Sequence, residues 1–254
     1  MNDSGVRSET STRPPVTGST PRWQLEHNDK VEILYQADEE RRKQRGDRPP
    51  QRRSLRRYQL ELCDKATEND WNSIIYLPTG TGKTFVAIEI VHRLMSKAGA
   101  SGSPNRKPLA IFLVDRTPLV FQQAQAFDDQ YEPTIPGMKT CGRYVGDMGN
   151  FKWDIEFKTH EVMCFTAGLF RNLLVNKDIS LRDVTVLVFD EAHHVCKSKG
   201  DSLHDFNTIM KEFYFTGPVQ NRPRVIAMTA SPGGALSIPQ TRRAVHKLCF
   251  NLVS

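Results

Sequence analysis

The sequence predicts an α/β domain in which helices cover both faces of a mostly parallel central sheet. Five short runs are almost continuously apolar, which is typical of strands buried on both faces; they span residues 73–77, 109–114, 161–166, 184–189 and 224–229. Stretches of helical length lie between or after these runs, at about 83–97, 117–130, 167–175, 203–214 and 239–252. Because strands and helices alternate along the chain, we expect parallel strands joined by crossover helices.

Composition excludes several classes of protein. Of the 254 residues, 38% are hydrophobic and 25% charged, and no window approaches the roughly 18 consecutive apolar residues of a membrane span. The first twenty residues lack the apolar stretch of a secretory signal, so we expect an intracellular protein, either cytoplasmic or nuclear. The five cysteines are scattered and form no C-x-x-C pair, which predicts neither disulfides nor a structural metal site. A net charge of +6 permits an anionic partner such as nucleic acid.

The chain divides into three predicted segments. Residues 1–50 are rich in Ser, Pro and basic side chains and predict a disordered or partly helical extension. The basic run at its end, from Arg41 to Arg57, is either a solvated linker or a contact for nucleic acid or nuclear import. Residues 51–235 are the predicted folded domain, with a surface loop at 96–108, and residues 236–254 a C-terminal helix.

A glycine-containing loop follows the first apolar run and leads directly into a helix. This context predicts a phosphate cradle, because glycines let backbone N–H groups turn inward and the helix start adds positive partial charge. The lysine of the loop would reach the β- and γ-phosphates, and the threonine after it would offer its hydroxyl to Mg²⁺. Leu77 stands where the strict pattern has its first glycine, and a simple strand-to-helix turn is the alternative. The predicted cofactor-binding residues here are Pro78, Thr79, Gly80, Thr81, Gly82, Lys83 and Thr84.

Two carboxylates end the fourth apolar run, in the string DEAHH. In an open α/β sheet, ligands bind at the carboxyl ends of the strands, so Asp190 and Glu191 are expected beside the phosphate loop. Asp190 would hold Mg²⁺, and Glu191 would orient the attacking water for phosphoryl transfer. His193 would couple this site to Thr229 and Ser231, which follow the last apolar run and would otherwise be turn or cap hydroxyls. For His194, packing or hydrogen bonding is the default expectation.

The ordered series of these motifs resembles a known family. RRYQ (56–59), PTGTGKT (78–84), TPLVFQQ (117–123), DEAH (190–193) and TAS (229–231) together resemble the first RecA-like domain of superfamily 2 helicases, over about residues 52–235. RYQLEL, FLVDRTPLVFQQAQAF, CGRYVGDMG, DEAHH and MTASPGG are similar to the Dicer and RIG-I-like group, and to fungal Dicer-like proteins in particular. The group often has cysteine where this chain has Ala192.

The resemblance implies further site residues. Gln59 would read adenine, with Tyr58 or Arg57 near the base; the alternative is a surface glutamine at a helix start. The motifs that contact RNA in the family would supply backbone-phosphate contacts, while TPLVFQQ could equally be only a well-capped amphipathic helix. The implied nucleic-acid residues are Pro118, Leu119, Gln123, Thr166, Ala167 and Gly168.

The resemblance also implies a function. We expect an ATP-binding lobe that uses ATP and Mg²⁺ and serves a double-stranded RNA helicase, with a second RecA-like lobe that this sequence does not include. Alone, the lobe should bind nucleotide but hydrolyse it poorly. Two alternatives stay open: a P-loop motor acting on DNA or protein, and a truncated non-enzymatic protein that binds nucleotide or RNA.

Overall fold

A computed structural model describes residues 22–46, 48–100, 107–146, 151–196, 198–199, 202–231 and 238–252. Within these residues, six strands form one parallel sheet in the order β1-β8-β5-β2-β4-β3, and β6 and β7 form a separate antiparallel hairpin. The strands are β1 (Ser73–Tyr76), β2 (Ala110–Val114), β3 (Lys139–Tyr144), β4 (His160–Thr166), β5 (Val186–Phe189), β6 (Ser198–Lys199), β7 (Ser202–Leu203) and β8 (Arg224–Thr229).

Helices cover both faces of the large sheet. They are α1 (Arg22–Arg45), α2 (Arg57–Thr67), α3 (Lys83–Ala100), α4 (Thr117–Gln130), α5 (Trp153–Thr159), α6 (Ala167–Asn176), α7 (Asp205–Thr208) with a π-helical continuation (Ile209–Tyr214), and α8 (Ile238–Leu252). Side chains alternate between two cores: Phe112 and Val114 of β2 pack with α1 to α4, whereas Ile111 and Leu113 pack with α6, α7 and α8. The predicted α/β class, with a mostly parallel sheet between two helical layers, is therefore confirmed.

The five predicted strands are all present, but the sixth, β3, was missed by the sequence reasoning. Polar residues interrupt its apolar pattern, and Arg143 is the clearest case. The side chain of Arg143 is only 3% exposed and lies between two carboxylates, Asp38 of α1 (2.8 Å) and Asp128 of α4. A buried charge is tolerated when it is paired in this way, so a strand can carry one.

The predicted extension contributes to the packed structure. Residues 1–21 lie outside the described part of the chain, but Arg22–Arg45 form helix α1, whose Val31 and Asp38 are buried. Several arginines of the basic run are paired with carboxylates, as Arg41 is with Asp38 at 2.5 Å and Arg52 with Glu89 at 2.9 Å. These pairs favour the interpretation of the run as a charged, solvated surface.

The region after β7 and the loop after α3 differ in detail from the prediction. The helix expected over 203–214 begins at Asp205 and becomes a π-helix from Ile209. Residues 101–106 of the predicted surface loop lie outside the described residues. In the described part of the chain, no helix combines the length and apolar character needed to cross a bilayer.

Candidate nucleotide-binding site

The chemistry-bearing motifs meet at the carboxyl edge of the parallel sheet. The loop 78–82 follows β1, Asp190 follows β5 and Thr229 ends β8, and these three strands are neighbours in the order β1-β8-β5. Parallel strands deliver their carboxyl ends to one edge, so sheet order alone brings together segments separated by more than a hundred residues.

The loop between β1 and α3 has the backbone of a phosphate cradle. Gly80 and Gly82 adopt φ values of +79° and +87°, which residues with a side chain rarely adopt. An alanine Cβ at Gly82 would lie 2.5 Å from Nε2 of Gln59, so this glycine also permits close approach of α2. Helix α3 begins at Lys83 and presents its first N–H groups to the same loop. These residues fit an anionic phosphate group.

Lys83 and Glu191 form an ion pair across the site, with Nζ and Oε1 2.7 Å apart. Glu191 adopts φ +49°, a left-handed conformation that is strained for glutamate and that directs its side chain toward the loop. Burial tends to raise the pKa of Glu191, but the hydrogen bond and charge of Lys83 outweigh it and hold that pKa below its usual value. Glu191 is therefore a carboxylate at neutral pH, the form that can accept a proton.

Asp190 is buried, and its carboxylate is held on both oxygens. The backbone N–H of Glu191 donates to Oδ1 at 3.0 Å, and Nε2 of Gln123 donates to Oδ2 at 3.0 Å. Burial, reinforced by the charge of Glu191, raises the pKa of Asp190 to about 6. Together with the half-buried Thr84 at the start of α3, Asp190 offers the hard oxygen ligands that Mg²⁺ prefers.

The predicted coupling residues are in contact. Nδ1 of His193 lies 3.2 Å from the hydroxyl oxygen of Thr229, and 3.3 Å from Oε2 of Glu191. The backbone N–H of Ser231 donates to the Thr229 hydroxyl oxygen at 3.2 Å. The DEAH segment is thus linked to the end of β8 through His193.

Two side chains of helix α2 donate hydrogen bonds to the same carbonyl of the phosphate loop. The hydroxyl of Tyr58 (2.7 Å) and Nε2 of Gln59 (3.0 Å) both donate to the carbonyl of Thr81. The amide oxygen of Gln59 accepts from the backbone N–H of Arg56 at 2.8 Å. Arg57 is exposed and pairs with Glu61 of its own helix at 3.1 Å. Gln59 and Tyr58 therefore lie at the loop, and reading of adenine stays a prediction.

The predicted nucleic-acid residues divide into two groups. Pro118 and Leu119 line a cleft of about 480 Å³ that also contains Asp190 and Glu191. Thr166, Ala167 and Gly168 stand at the start of α6; because the Ala167 side chain is buried, this segment could contact a phosphate mainly through its backbone.

Gln123 requires a correction. The sequence predicted a nucleic-acid contact for Gln123, but its side chain is only 5% exposed and faces Asp190. Its neighbour Gln122 is the exposed glutamine of the pair. A ligand on the surface therefore cannot reach the Gln123 amide directly.

A cluster of Asp115, His194 and His204, beside the same cleft, was not predicted. His204 lies 2.9 Å from Asp115 through Nε2, and its Nδ1 accepts from the backbone N–H of Phe206 at 3.3 Å. The second contact places the ring proton on Nε2, so that this nitrogen donates to Asp115 and is not free to bind a metal. The His194 ring lies between those of His193 (4.5 Å) and His204 (5.1 Å). Three separate segments of the chain supply these residues, and His194 lies in a 3-10 helix (Ala192–Cys196), so no sequence spacing could have indicated the cluster.

Comparisons with known proteins give a consistent result. Residues 48–233 match the family model described as the type III restriction enzyme, res subunit. The chain is 38% identical over 173 residues to Endoribonuclease Dicer homolog 1 of Arabidopsis thaliana, covering 63% of this chain and 8% of that protein. It is 34% identical over 192 residues to Dicer-like protein 1 of Neurospora crassa, covering 74% of this chain and 11% of that protein.

A solved structure is also similar. The helicase domain of Hef from Pyrococcus furiosus matches with a TM-score of 0.57 and 27% identity, over 78% of this chain and 36% of that chain. The chain spans between 8% and 11% of the length of the two Dicer-related proteins it matches. The similarity is thus to one domain of much longer proteins.

Proposed function

Because the chain belongs to the family of the type III restriction enzyme res subunit, and is a superfamily 2 helicase domain of the Dicer-like group, we propose that it is the ATP-binding lobe of a motor that acts on double-stranded RNA. In the full-length enzyme, ATP hydrolysis by this lobe would drive the handling of the RNA. The observation that carries the proposal is the meeting of Lys83, Asp190 and Glu191 beside the phosphate loop, with Lys83 and Glu191 2.7 Å apart.

Each residue has a defined role in the proposed reaction. The N–H groups of residues 80–84 and the ammonium of Lys83 bind the phosphates of ATP, so Lys83 exchanges its contact with Glu191 for one with the nucleotide. Thr84 and Asp190 would hold Mg²⁺, which neutralises developing charge on the phosphates when it is bound. Glu191, released from Lys83, orients the attacking water and accepts its proton.

Further contacts support the proposed coupling of this reaction to RNA. The link from Glu191 through His193 to Thr229 and Ser231 runs from the reacting end of the nucleotide to the end of β8. Pro118, Leu119 and the start of α6 at residues 166–168 are the proposed contacts for RNA phosphates. The cleft that Pro118 and Leu119 line reaches Asp190 and Glu191, so RNA and nucleotide would occupy adjoining positions.

The domain limits are part of the same proposal. We propose residues 51–235 as the ATP-binding lobe, which the family match over 48–233 supports. Residues 236–254 are the proposed start of a connection to a second lobe. In a two-lobed motor the second lobe closes over the nucleotide and adds arginines that accelerate transfer by about 10³ to 10⁵. We therefore expect this chain alone to bind ATP but to turn it over at near-background rate.

The test combines binding and turnover on the same samples. ATP binding is measured by fluorescence of a labelled nucleotide, and phosphate release is measured with and without double-stranded RNA, for the wild-type chain, Lys83→Ala and Glu191→Gln. Binding that depends on Lys83, with turnover near background, supports the proposal. Absence of Lys83-dependent binding refutes the nucleotide site, and robust turnover that Glu191→Gln abolishes refutes the claim that the lobe is weak alone.

A second candidate is a motor that acts on DNA, which the name of the matching family model favours. Duplex RNA and duplex DNA of equal length and sequence distinguish the two. Binding of each duplex to the chain is measured under the same conditions. We expect only the RNA to bind the proposed surface at Pro118, Leu119 and 166–168. Stronger binding of DNA would replace the RNA proposal while leaving the nucleotide site unaffected.

A further inference from the structure

Gln123 reaches the carboxylate of Asp190 from the interior of helix α4. Its Nε2 donates to Oδ2 at 3.0 Å, and both side chains are at least nine-tenths buried. We propose that Gln123 is a positioning residue, which fixes the orientation of the Asp190 carboxylate for binding Mg²⁺ with the nucleotide. The inference rests on the proposed nucleotide site and adds a residue to it.

The other contacts of Asp190 fix its main chain and one carboxylate oxygen, and Gln123 holds the second oxygen. The backbone N–H of Asp190 donates to the carbonyl of Leu113 at 2.9 Å, which fixes the main chain. The backbone N–H of Glu191 holds Oδ1 at 3.0 Å. Without Gln123, only the hydrogen bond from Glu191 would oppose rotation of the carboxylate about its terminal bond, so Oδ2 would be held less firmly in the direction that the ligand requires. A residue that orients a metal ligand affects metal affinity by about 10- to 100-fold in other proteins.

The amide of Gln123 also lowers the stability of the folded protein. Its Oε1 is buried and has no hydrogen-bond partner among the residues that the structure describes. A buried acceptor without a partner destabilises a folded protein by about 1 to 3 kcal/mol, which an apolar side chain of similar size would avoid. A purely structural role therefore explains the amide poorly, whereas a role in holding Asp190 explains why nitrogen faces the carboxylate.

The position of Gln123 connects this contact to the proposed nucleic-acid surface. Leu119 precedes it by four residues, one helical turn, and lines the cleft that contains Asp190. One helix thus carries both a proposed RNA contact and the donor that holds a proposed metal ligand. A shift of α4 on binding RNA would change the position of the Gln123 amide relative to Asp190.

The test measures how much Mg²⁺ strengthens nucleotide binding, using the full chain and a fluorescent ATP analogue in Mg²⁺ or in EDTA. The variant is Gln123→Met, which keeps the side-chain volume and removes the amide. We expect its gain in affinity from Mg²⁺ to be about 10-fold or more below that of the wild type, with binding in EDTA unchanged. Gln122→Met, the same change at the exposed neighbour, should keep the full gain.

Thermal unfolding without ligand separates positioning from folding. Gln123→Met removes one unsatisfied acceptor, Oε1, and leaves another, Oδ2 of Asp190, without its donor. These effects oppose each other, so the melting temperature should stay within a few degrees of the wild type. If Gln123→Met does not fold, Gln123→Asn replaces it, because its amide is one methylene too short to reach Asp190 and should lose the same gain.

The possible outcomes distinguish the inference from the proposed function. A full Mg²⁺ gain in a folded Gln123 variant overturns the inference and leaves the nucleotide site intact. A wild-type chain that does not bind nucleotide through Lys83 overturns both. A reduced gain in Gln123→Met, with a full gain in Gln122→Met, supports the positioning role.

Discussion

The two glycines of the phosphate loop should differ sharply in their tolerance of alanine. Both have positive φ, so an alanine at either position costs about 1 to 2 kcal/mol in backbone strain. At Gly80 a Cβ would meet nothing within 4 Å, whereas at Gly82 it would lie 2.5 Å from Nε2 of Gln59. The strain is common to both variants, and the steric conflict belongs to Gly82→Ala alone.

The size of the difference follows from what Gln59 would lose by moving. Its amide makes two hydrogen bonds, one to the Thr81 carbonyl at 3.0 Å and one from the Arg56 N–H at 2.8 Å. Each such bond contributes about 1 kcal/mol net. The entropic effect of alanine on the unfolded chain is the same at both positions and cancels. Gly82→Ala should therefore destabilise the protein by about 2 kcal/mol more than Gly80→Ala.

Urea denaturation of the two variants and the wild type measures this difference directly. At about 2 to 4 °C per kcal/mol for a domain of this size, it corresponds to a gap of about 4 to 8 °C in melting temperature. In a Gln59→Ala background the obstacle is absent, so Gly82→Ala should cost no more than Gly80→Ala. Equal costs in the wild-type background, or a gap that persists without Gln59, would refute the proposed conflict.

Three further variants test other parts of the structure. Arg143→Met removes the charged partner of buried Asp128 and one of the two partners of Asp38, which keeps its pair with Arg41. It should lower the free energy of unfolding, measured by denaturation, by about 3 to 5 kcal/mol; a loss below about 1 kcal/mol would show that Arg143 and Asp128 are not buried as a pair in solution. Burial lowers the pKa of His160 from 6.5 to about 4, so the unfolded chain takes up the proton first as pH falls. The contribution of His160 to stability should be full above pH 6.5 and fall by about 3 kcal/mol toward pH 4. Protonation of Asp190, whose pKa is raised to about 6, acts in the opposite direction over this range, so the His160 contribution is measured as the difference between the wild type and His160→Gln. Glu191→Gln releases Lys83 and should tighten nucleotide binding severalfold in EDTA; weaker binding would mean that the ion pair does not compete with phosphate.

The sequence predicted an element correctly where the pattern that identifies the element lay within the element itself. The four central strands and the edge strand β1 are almost continuously apolar, so all five could be predicted. The other edge strand, β3, was hidden because the partners of Arg143 lie far away in the chain. The motif order, combined with the rule that strands end at one edge, correctly brought Lys83, Glu191, His193 and Thr229 together. The Asp115–His204 contact joins residues 89 positions apart in sequence, with no motif to suggest it.

The misplacement of Gln123 has a different cause. Val120, Ala124 and Phe127 form the buried stripe of α4, and position 123 lies on that stripe at helical spacing from Val120 and Phe127. Periodicity therefore places Gln123 on the inward face and Gln122 on the outward face, whereas the family motif implied a surface contact for Gln123. A polar residue on an apolar stripe indicates a buried partner, which here is Asp190.

The contacts of the site suggest why its residues come from so many elements. Helix α2 holds the phosphate loop through Thr81, α3 supplies Lys83, α4 holds Asp190, and β8 contacts His193. Lys83 is paired with Glu191 in the structure, so in the proposed reaction ATP binding would break that pair and free the carboxylate for the attacking water. Arrival of ATP would thus change a contact on α3 and one beside β5 at once, and His193 and Gln123 would extend the change to β8 and α4. If the proposed function holds, these contacts would connect nucleotide occupancy to the proposed nucleic-acid surface at Pro118 and Leu119.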